Sequence, residues 1–148
     1  MAIDLSGVPD TLFGAWKQLS GTYVDLETGE ERPGLSKAPN GYLYFGRDGR
    51  MFNLTVDSAR QKPAGPRPTA AEAEALYRSL IAYTGTFGVE GDRVFFDLDV
   101  SWNESWTGTR QVRAFELAGD RLMISADIVN PMTGKPARHR LVFEKVRT

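Results

Sequence analysis

The sequence predicts an all-β domain: a single antiparallel up-and-down barrel of eight strands, with one helix capping an end. Three observations predict it. Short runs that alternate apolar and polar residues recur along most of the chain. Turn chemistry of the Asp-Gly and Gly-Asp kind separates them. One segment alone, around 67–85, carries helical spacing instead. The chain of 148 residues is the length of one ordinary domain, and we read 1–148 as a single unit.

Taken in order, "TLFGAWKQLSGTYV" (11–24) has strand composition, and "GYLYFGRDGRMFNLTVD" (41–57) reads as a hairpin turned by Asp48-Gly49. "YTGTFGVEGDRVFFDLDVSW" (83–102) repeats the design with its turn at Glu90-Gly91-Asp92. "TRQVRAFELAGDRLMISADIV" (109–129) does so again at Ala118-Gly119-Asp120, and "ARHRLVFEKV" (137–146) supplies the last strand. A meander of this kind leaves exposed edges unless it closes on itself, so a barrel is the economical arrangement.

The exception is "RPTAAEAEALYRSLIAYTG" (67–85), in which Thr69 is followed three residues later by Glu72, the spelling of a capping box. A helix over about 70–82 is expected. It would place Ala73, Leu76, Tyr77, Leu80 and Ile81 on one face, suited to covering an open end of the barrel. The Pro-rich, basic stretch 58–68 before it is either a lid or a solvated connector.

Composition excludes several classes of function. Zero cysteines rule out disulfides, thiolate catalysis and sulfur-based zinc sites. With a single histidine and no HExxH or His/Asp cluster, no metal site is expected. No cofactor is expected either: the phosphate-cradling and dinucleotide-binding glycine patterns are absent, as is the Gly-x-Ser-x-Gly elbow. Eighteen basic residues against nineteen acidic give a net charge of −1, which would not draw in nucleic acid or an anionic membrane. No run of eighteen apolar residues spans a bilayer, and "MAIDLSGVPD" has no secretory pattern, so a cytoplasmic protein is the expectation.

"FGAW" (13–16) places Gly14 two residues before Trp16, and the final strand carries Arg138 and Arg140. This resembles the Gly-x-Trp opening of lipocalin and calycin barrels, in which an Arg of the last strand covers the Trp at the closed end. "GYLYFGRDGRM", "YRSLIAYTGTFGVEGD", "WTGTRQVRAFELAGDRLMIS" and "RLVFEKV" are together similar to the small bacterial lipocalin-like domain family, over nearly the full length. The resemblance implies an eight-stranded barrel with an interior pocket for a small, mainly apolar molecule. It implies no particular reaction, because one fold hosts many functions. The chain departs from the family where relatives tend to have a His-His pair and a Glu: here stand Phe96, Asp97 and Asp99. Where relatives tend to have Pro-Asn before the Trp, this chain has Glu104-Ser105-Trp106. Any role of those histidines is therefore not carried over.

The chemistry-bearing residues follow from strand parity. Val94, Phe96, Leu98, Val100 and Trp102 share one face, and Asp97 and Asp99 fall on the other. Plain counting turns both aspartates to solvent, whereas a bulge near "WNESW" would turn one of them inward, and both outcomes stay open. On the next strand Gln111 and Arg113 share a face with Phe115 and Leu117, which carries Arg113 into the interior. A buried guanidinium costs several kcal/mol unless a carboxylate or another acceptor answers it. The answering group is an inward Asp97 or Asp99, or an anionic or carbonyl group on a bound molecule. His139 shares a face with Leu141 and Phe143 and is a candidate acid or base. Tyr44, Met51, Tyr83, Phe87, Trp102 and Trp106 are candidate walls for a flat ligand, and Asn53 a candidate hydrogen-bonding group.

Two functions remain. One is a carrier that binds a small hydrophobic or amphipathic carbonyl- or carboxylate-bearing molecule of polyketide- or terpenoid-like character. The other is a cofactor-free cyclase, isomerase or hydro-lyase of secondary metabolism, in which Arg113 stabilises enolate charge and an inward aspartate or His139 moves a proton. A monomer and a homodimer are equally compatible with the sequence.

Overall fold

Alternation of side chains across the pleat dictates nearly every element, and the eight strands of the ring form largely where the sequence places them, while a short ninth, at 31–33, was not expected. In the computed structural model, which describes residues 3–130 and 133–147, they are β1 (Gly14–Asp25), β2 (Glu31–Pro33), β3 (Pro39–Phe45), β4 (Arg50–Asp57), β5 (Leu80–Glu90), β6 (Arg93–Ser101), β7 (Arg110–Ala118), β8 (Arg121–Val129) and β9 (Pro136–Lys145). All pair antiparallel, in the order β2-β1-β3-β4-β5-β6-β7-β8-β9, and a further β1–β9 pairing closes the ring. The short β2 stands outside the ring of eight. It joins Thr22–Val24 of β1, while β3 joins Gly14–Lys17 at the other end of the same strand. Among the described residues no helix is long and apolar enough to cross a membrane.

The tight turns fall at the three expected places, and Gly91 and Gly119 take φ of 62° and 59°, where a Cβ would be strained. Two β-bulges interrupt the ladder. In β1, Gln18 pairs with Phe143 and Ser20 with Val142, so Leu19 is the extra residue. In β6, Leu98 pairs with Gly85 and Val100 with Thr84, so Asp99 is the extra residue. Gly85 permits the second bulge, since a Cβ there would lie 1.9 Å from the Asp97 carbonyl oxygen.

One end of the barrel is packed solid. Trp16, Phe45, Met51, Phe87, Leu122 and Phe143 are each at most 1% exposed, and Leu12 of a short 3-10 helix (Asp10–Leu12) closes over them. Full burial of each large apolar side chain contributes on the order of 2–3 kcal/mol. Phe45 meets Phe87 edge-on at 4.9 Å and stacks near Phe96 at 6.1 Å. The Trp16 indole donates to the Leu12 carbonyl at 2.9 Å, so its one polar atom is satisfied.

The cover over Trp16 differs from the expectation. Lys145, not Arg138 or Arg140, lies over the indole, with Nζ 4.7 Å from the ring centre and donating to the Thr11 and Phe13 carbonyls. Parity is the reason: Ala137, His139, Leu141, Phe143 and Lys145 share the inward phase of β9. Arg138 and Arg140 alternate outward, where Arg138 pairs with Asp127 and Arg140 reaches the Met123 sulfur.

The helix α1 (Ala70–Arg78) is shorter than the expected 70–82. Its capping box is present: Thr69 Oγ1 accepts from the Glu72 backbone N–H, and Glu72 accepts from the Thr69 N–H. It stops at Ser79 because Leu80 and Ile81 pair with Val56 and Thr55 of β4, and that strand pairing outweighs one more helical turn. Leu80 and Ile81 therefore belong to β5, and no residue of the helix is fully buried. The 58–68 segment runs along the helix, with Ala64 N–H donating to Glu72 and Arg60 to the Leu76 carbonyl.

Candidate functional site

Above the packed floor the barrel is hollow. A cavity of about 770 Å³ opens at the end where β1 meets β2, within the usual size range of small-molecule sites. The bulge at Leu19 shapes one wall. It reverses the phase of β1, so that Gly21 and Tyr23 face inward although Trp16 and Gln18 also do. Asn53 and Thr55 follow from β4, Tyr83 from β5, Gln111 and Arg113 from β7, and His139 and Leu141 from β9. Tyr77 and Arg78 of α1, the Gly34–Leu35–Ser36 loop, Trp102 and Trp106 frame the mouth. The 58–68 stretch does not line the cavity.

Neutral polar groups form a ring inside. Thr55 Oγ1 donates to the Gln18 amide oxygen at 3.0 Å and lies 3.2 Å from the Asn53 amide oxygen, and the Asn53 amide nitrogen donates to Tyr83 Oη at 3.1 Å. Burial raises the Tyr83 phenol above its ordinary pKa, against the hydrogen bond from Asn53 and the pull of Arg113. Burial likewise raises Tyr23, whose ring stacks on His139 at 4.7 Å.

Arg113 is the exception to this neutrality. Its Nη2 donates to the Gln111 amide oxygen at 2.7 Å and its Nη1 to the Val112 carbonyl at 2.9 Å. Among the described residues no carboxylate forms an ion pair with it. Burial accordingly pulls its pKa below the ordinary arginine value, with only Tyr83 opposing the shift. His139 is held neutral, its pKa lowered to about 4, first by burial and then by the Arg113 charge.

Seven of the sequence-derived candidates thus share one cavity: Arg113, His139, Gln111, Asn53, Tyr83, Trp102 and Trp106. Five do not. Asp97 and Asp99 lie on the outside, where Asp97 accepts two hydrogen bonds from Arg110 at 2.7 and 2.9 Å and Asp99 two from Arg50 at 3.0 and 2.6 Å. The bulge does exist, but it centres on Asp99 itself, and the residue whose phase it changes is Val100, which is 62% exposed. Neither aspartate can move a proton in the cavity. Tyr44 also points outward, alternating with the buried Leu43 and Phe45. Met51 and Phe87 point inward but sit in the packed floor.

Sequence reasoning missed Gln18, Tyr23, Thr55 and the 34–36 loop, and read Tyr77 only as part of the helix face that covers the open end. Thr55 is in phase with Asn53 and was open to discovery by parity. Tyr23 was not, because simple alternation from Trp16 turns it to solvent. Among the described residues no group of three or more His, Cys, Asp or Glu side chains lies together as metal ligands would.

The crystal structure of an uncharacterized protein from Bacteroides eggerthii DSM 20697 is similar at a TM-score of 0.49 and 13% identity, over 91% of this chain and 99% of that one. No curated protein sequence matches. The lipocalin-like domain family matches residues 13–146, which takes in every strand of the barrel and every cavity-lining residue. The chain belongs to the lipocalin-like domain family.

Proposed function

We propose that the barrel binds a small amphipathic molecule, with its apolar body among the aromatic residues of the mouth and a carboxylate or polarised carbonyl against Arg113. The observation that carries this reading is the guanidinium itself: a half-buried cation in a cavity whose other polar groups are neutral apart from Arg78 at the mouth, with no acid paired to it among the described residues. Leaving such a charge unanswered is costly, and an anionic head group relieves it by a charge-assisted, two-pronged hydrogen bond. Gln111 holds one Nη in place and orients the fork.

A catalytic reading draws on one further observation, the neutral imidazole of His139 close enough to feel the Arg113 charge. In an isomerase or cyclase, Arg113 would bind the developing enolate oxygen while His139 accepts the proton lost from the neighbouring carbon. A pKa of about 4 makes that imidazole a weak base at neutral pH, and both aspartates are outside. Binding without turnover is therefore the better supported role.

Native mass spectrometry of the protein isolated from its producing cells tests the reading. The expected outcome is a bound organic acid or carbonyl compound that leaves on denaturation and is absent from Arg113→Gln. A protein that comes away empty in both forms, and takes up no acid added back, contradicts it.

A further inference from the structure

Trp102 presents a donor that nothing accepts among the described residues. Its indole Nε1 is shielded from solvent and has no hydrogen-bond partner, while the ring borders the cavity. Nearly all buried N–H groups in folded proteins are paired, and an unpaired one costs about 1–3 kcal/mol. The contrast with Trp16, whose Nε1 is bonded to Leu12, shows that this chain satisfies an indole where only packing is at stake. The ring is also fixed in place. Trp106 meets Trp102 edge-on at 4.9 Å, Tyr77 of the helix stands 6.4 Å away, and the Trp102 backbone N–H is tied to the Ala82 carbonyl at 2.8 Å.

The aromatic wall continues inward. Trp106 lies 5.8 Å from Tyr83, which lines the same cavity as Arg113 and stands near enough to oppose the lowering of its pKa. Along this wall a cation without a carboxylate partner among the described residues stands at the inner end, and an unpaired neutral donor two ring-to-ring steps outward. We infer that the ligand is a planar, two-ring-wide acid carrying a second oxygen acceptor at the end remote from its carboxylate, and that Trp102 Nε1 donates to that oxygen. This rests on the head-group role of Arg113 and adds the far anchor. An indole N–H only donates, so the remote group must be an acceptor such as a keto or ether oxygen. Between the two anchors the flat body lies against Trp106 and Tyr83, whose rings supply apolar area with little loss of side-chain freedom.

Calorimetric titration with 6-methoxy-2-naphthoic acid and its near-isostere 6-ethyl-2-naphthoic acid separates the anchors, since only the first carries an acceptor at the far end. The expected result for the unaltered protein is about fivefold tighter binding of the methoxy acid, the size of one net hydrogen bond. In Trp102→Phe the preference disappears and the two acids bind equally, while an unchanged circular dichroism spectrum shows that the variant is folded. In Arg113→Gln both acids weaken together. If the unaltered protein does not prefer the methoxy acid, or if the preference survives in Trp102→Phe, the Trp102 anchor is overturned and the Arg113 role stands. If neither acid binds the unaltered protein, the head-group role falls and this inference with it.

Discussion

Asp97 and Arg110 face each other across β6 and β7 and join on the outer surface of the barrel through two hydrogen bonds of 2.7 and 2.9 Å. That pair decides the character of the interior. Asp97, one of the two carboxylates the sequence offers to the inward Arg113, is spent on an outward arginine, and Asp99 is taken in the same way by Arg50. Both aspartates of β6 are thus taken on the outer surface, by Arg110 of β7 and Arg50 of β4, and among the described residues no acid pairs with Arg113 inside.

Replacing Arg113 by Met should stabilise the empty protein. Removing an uncompensated half-buried charge while keeping most of the apolar stem is expected to raise the unfolding free energy by about 1–2 kcal/mol. Urea unfolding of the two forms measures it, and the same variant is expected to lose affinity for organic acids.

Asp97→Asn and Asp99→Asn should matter little. Both pairs are solvent-exposed, and such pairs contribute less than about 1 kcal/mol each. Urea unfolding and acid titration of both variants are expected to match the unaltered protein within that margin, which also separates them from any proton-transfer role.

His139 is the only histidine, so its imidazole resonances are unambiguous in a proton NMR titration. The midpoint is expected at about 4, from burial and the Arg113 charge. The unfolded chain, with an ordinary histidine near 6.5, binds the proton first as pH falls. Stability is therefore unaffected by this group above about 6.5, is lost as pH falls from there toward 4, and loses nothing further below. The full window amounts to about 3 kcal/mol at most. His139→Gln should abolish the part of the loss between about 6.5 and 5, above the range in which Asp57, Asp99, Asp120 and Asp127 lose theirs. An acid bound against Arg113 should raise the His139 midpoint.

Lys145→Ala should loosen the closed end without touching the cavity. It removes the cation over Trp16 and the donor to the Thr11 and Phe13 carbonyls, at an expected cost of about 1–2 kcal/mol in urea unfolding. Affinity for organic acids should be unchanged.

How far the sequence reached depends on what alternation encodes. It separates inside from outside, which is why Gln111, Arg113, His139 and Asn53 were legible along uninterrupted stretches of β7, β9 and β4. It says nothing about height along the barrel axis. Met51 and Asn53 are neighbours in phase on β4, yet Met51 pairs with Gly85 in the packed floor while Asn53 pairs with Tyr83 at the level of the cavity. Phe87 was misplaced for the same reason. Alternation is also broken by one inserted residue, so the bulge at Leu19 hid Tyr23 and the bulge at Asp99 moved Val100 to the surface. The helix end was overrun because Leu80 and Ile81 fit an apolar helical stripe, and only their pairing with β4 tells otherwise.

The central claim, that Arg113 awaits a negative or strongly polarised oxygen, is tested most directly by calorimetry with 2-naphthoic acid and its neutral analogue 2-naphthamide on the unaltered protein and on Arg113→Gln. The expected result is at least about tenfold preference for the acid in the unaltered protein, in line with a charge-assisted pair, and no preference in the variant. Equal binding of acid and amide, or a preference for the acid that persists in Arg113→Gln, would contradict the account.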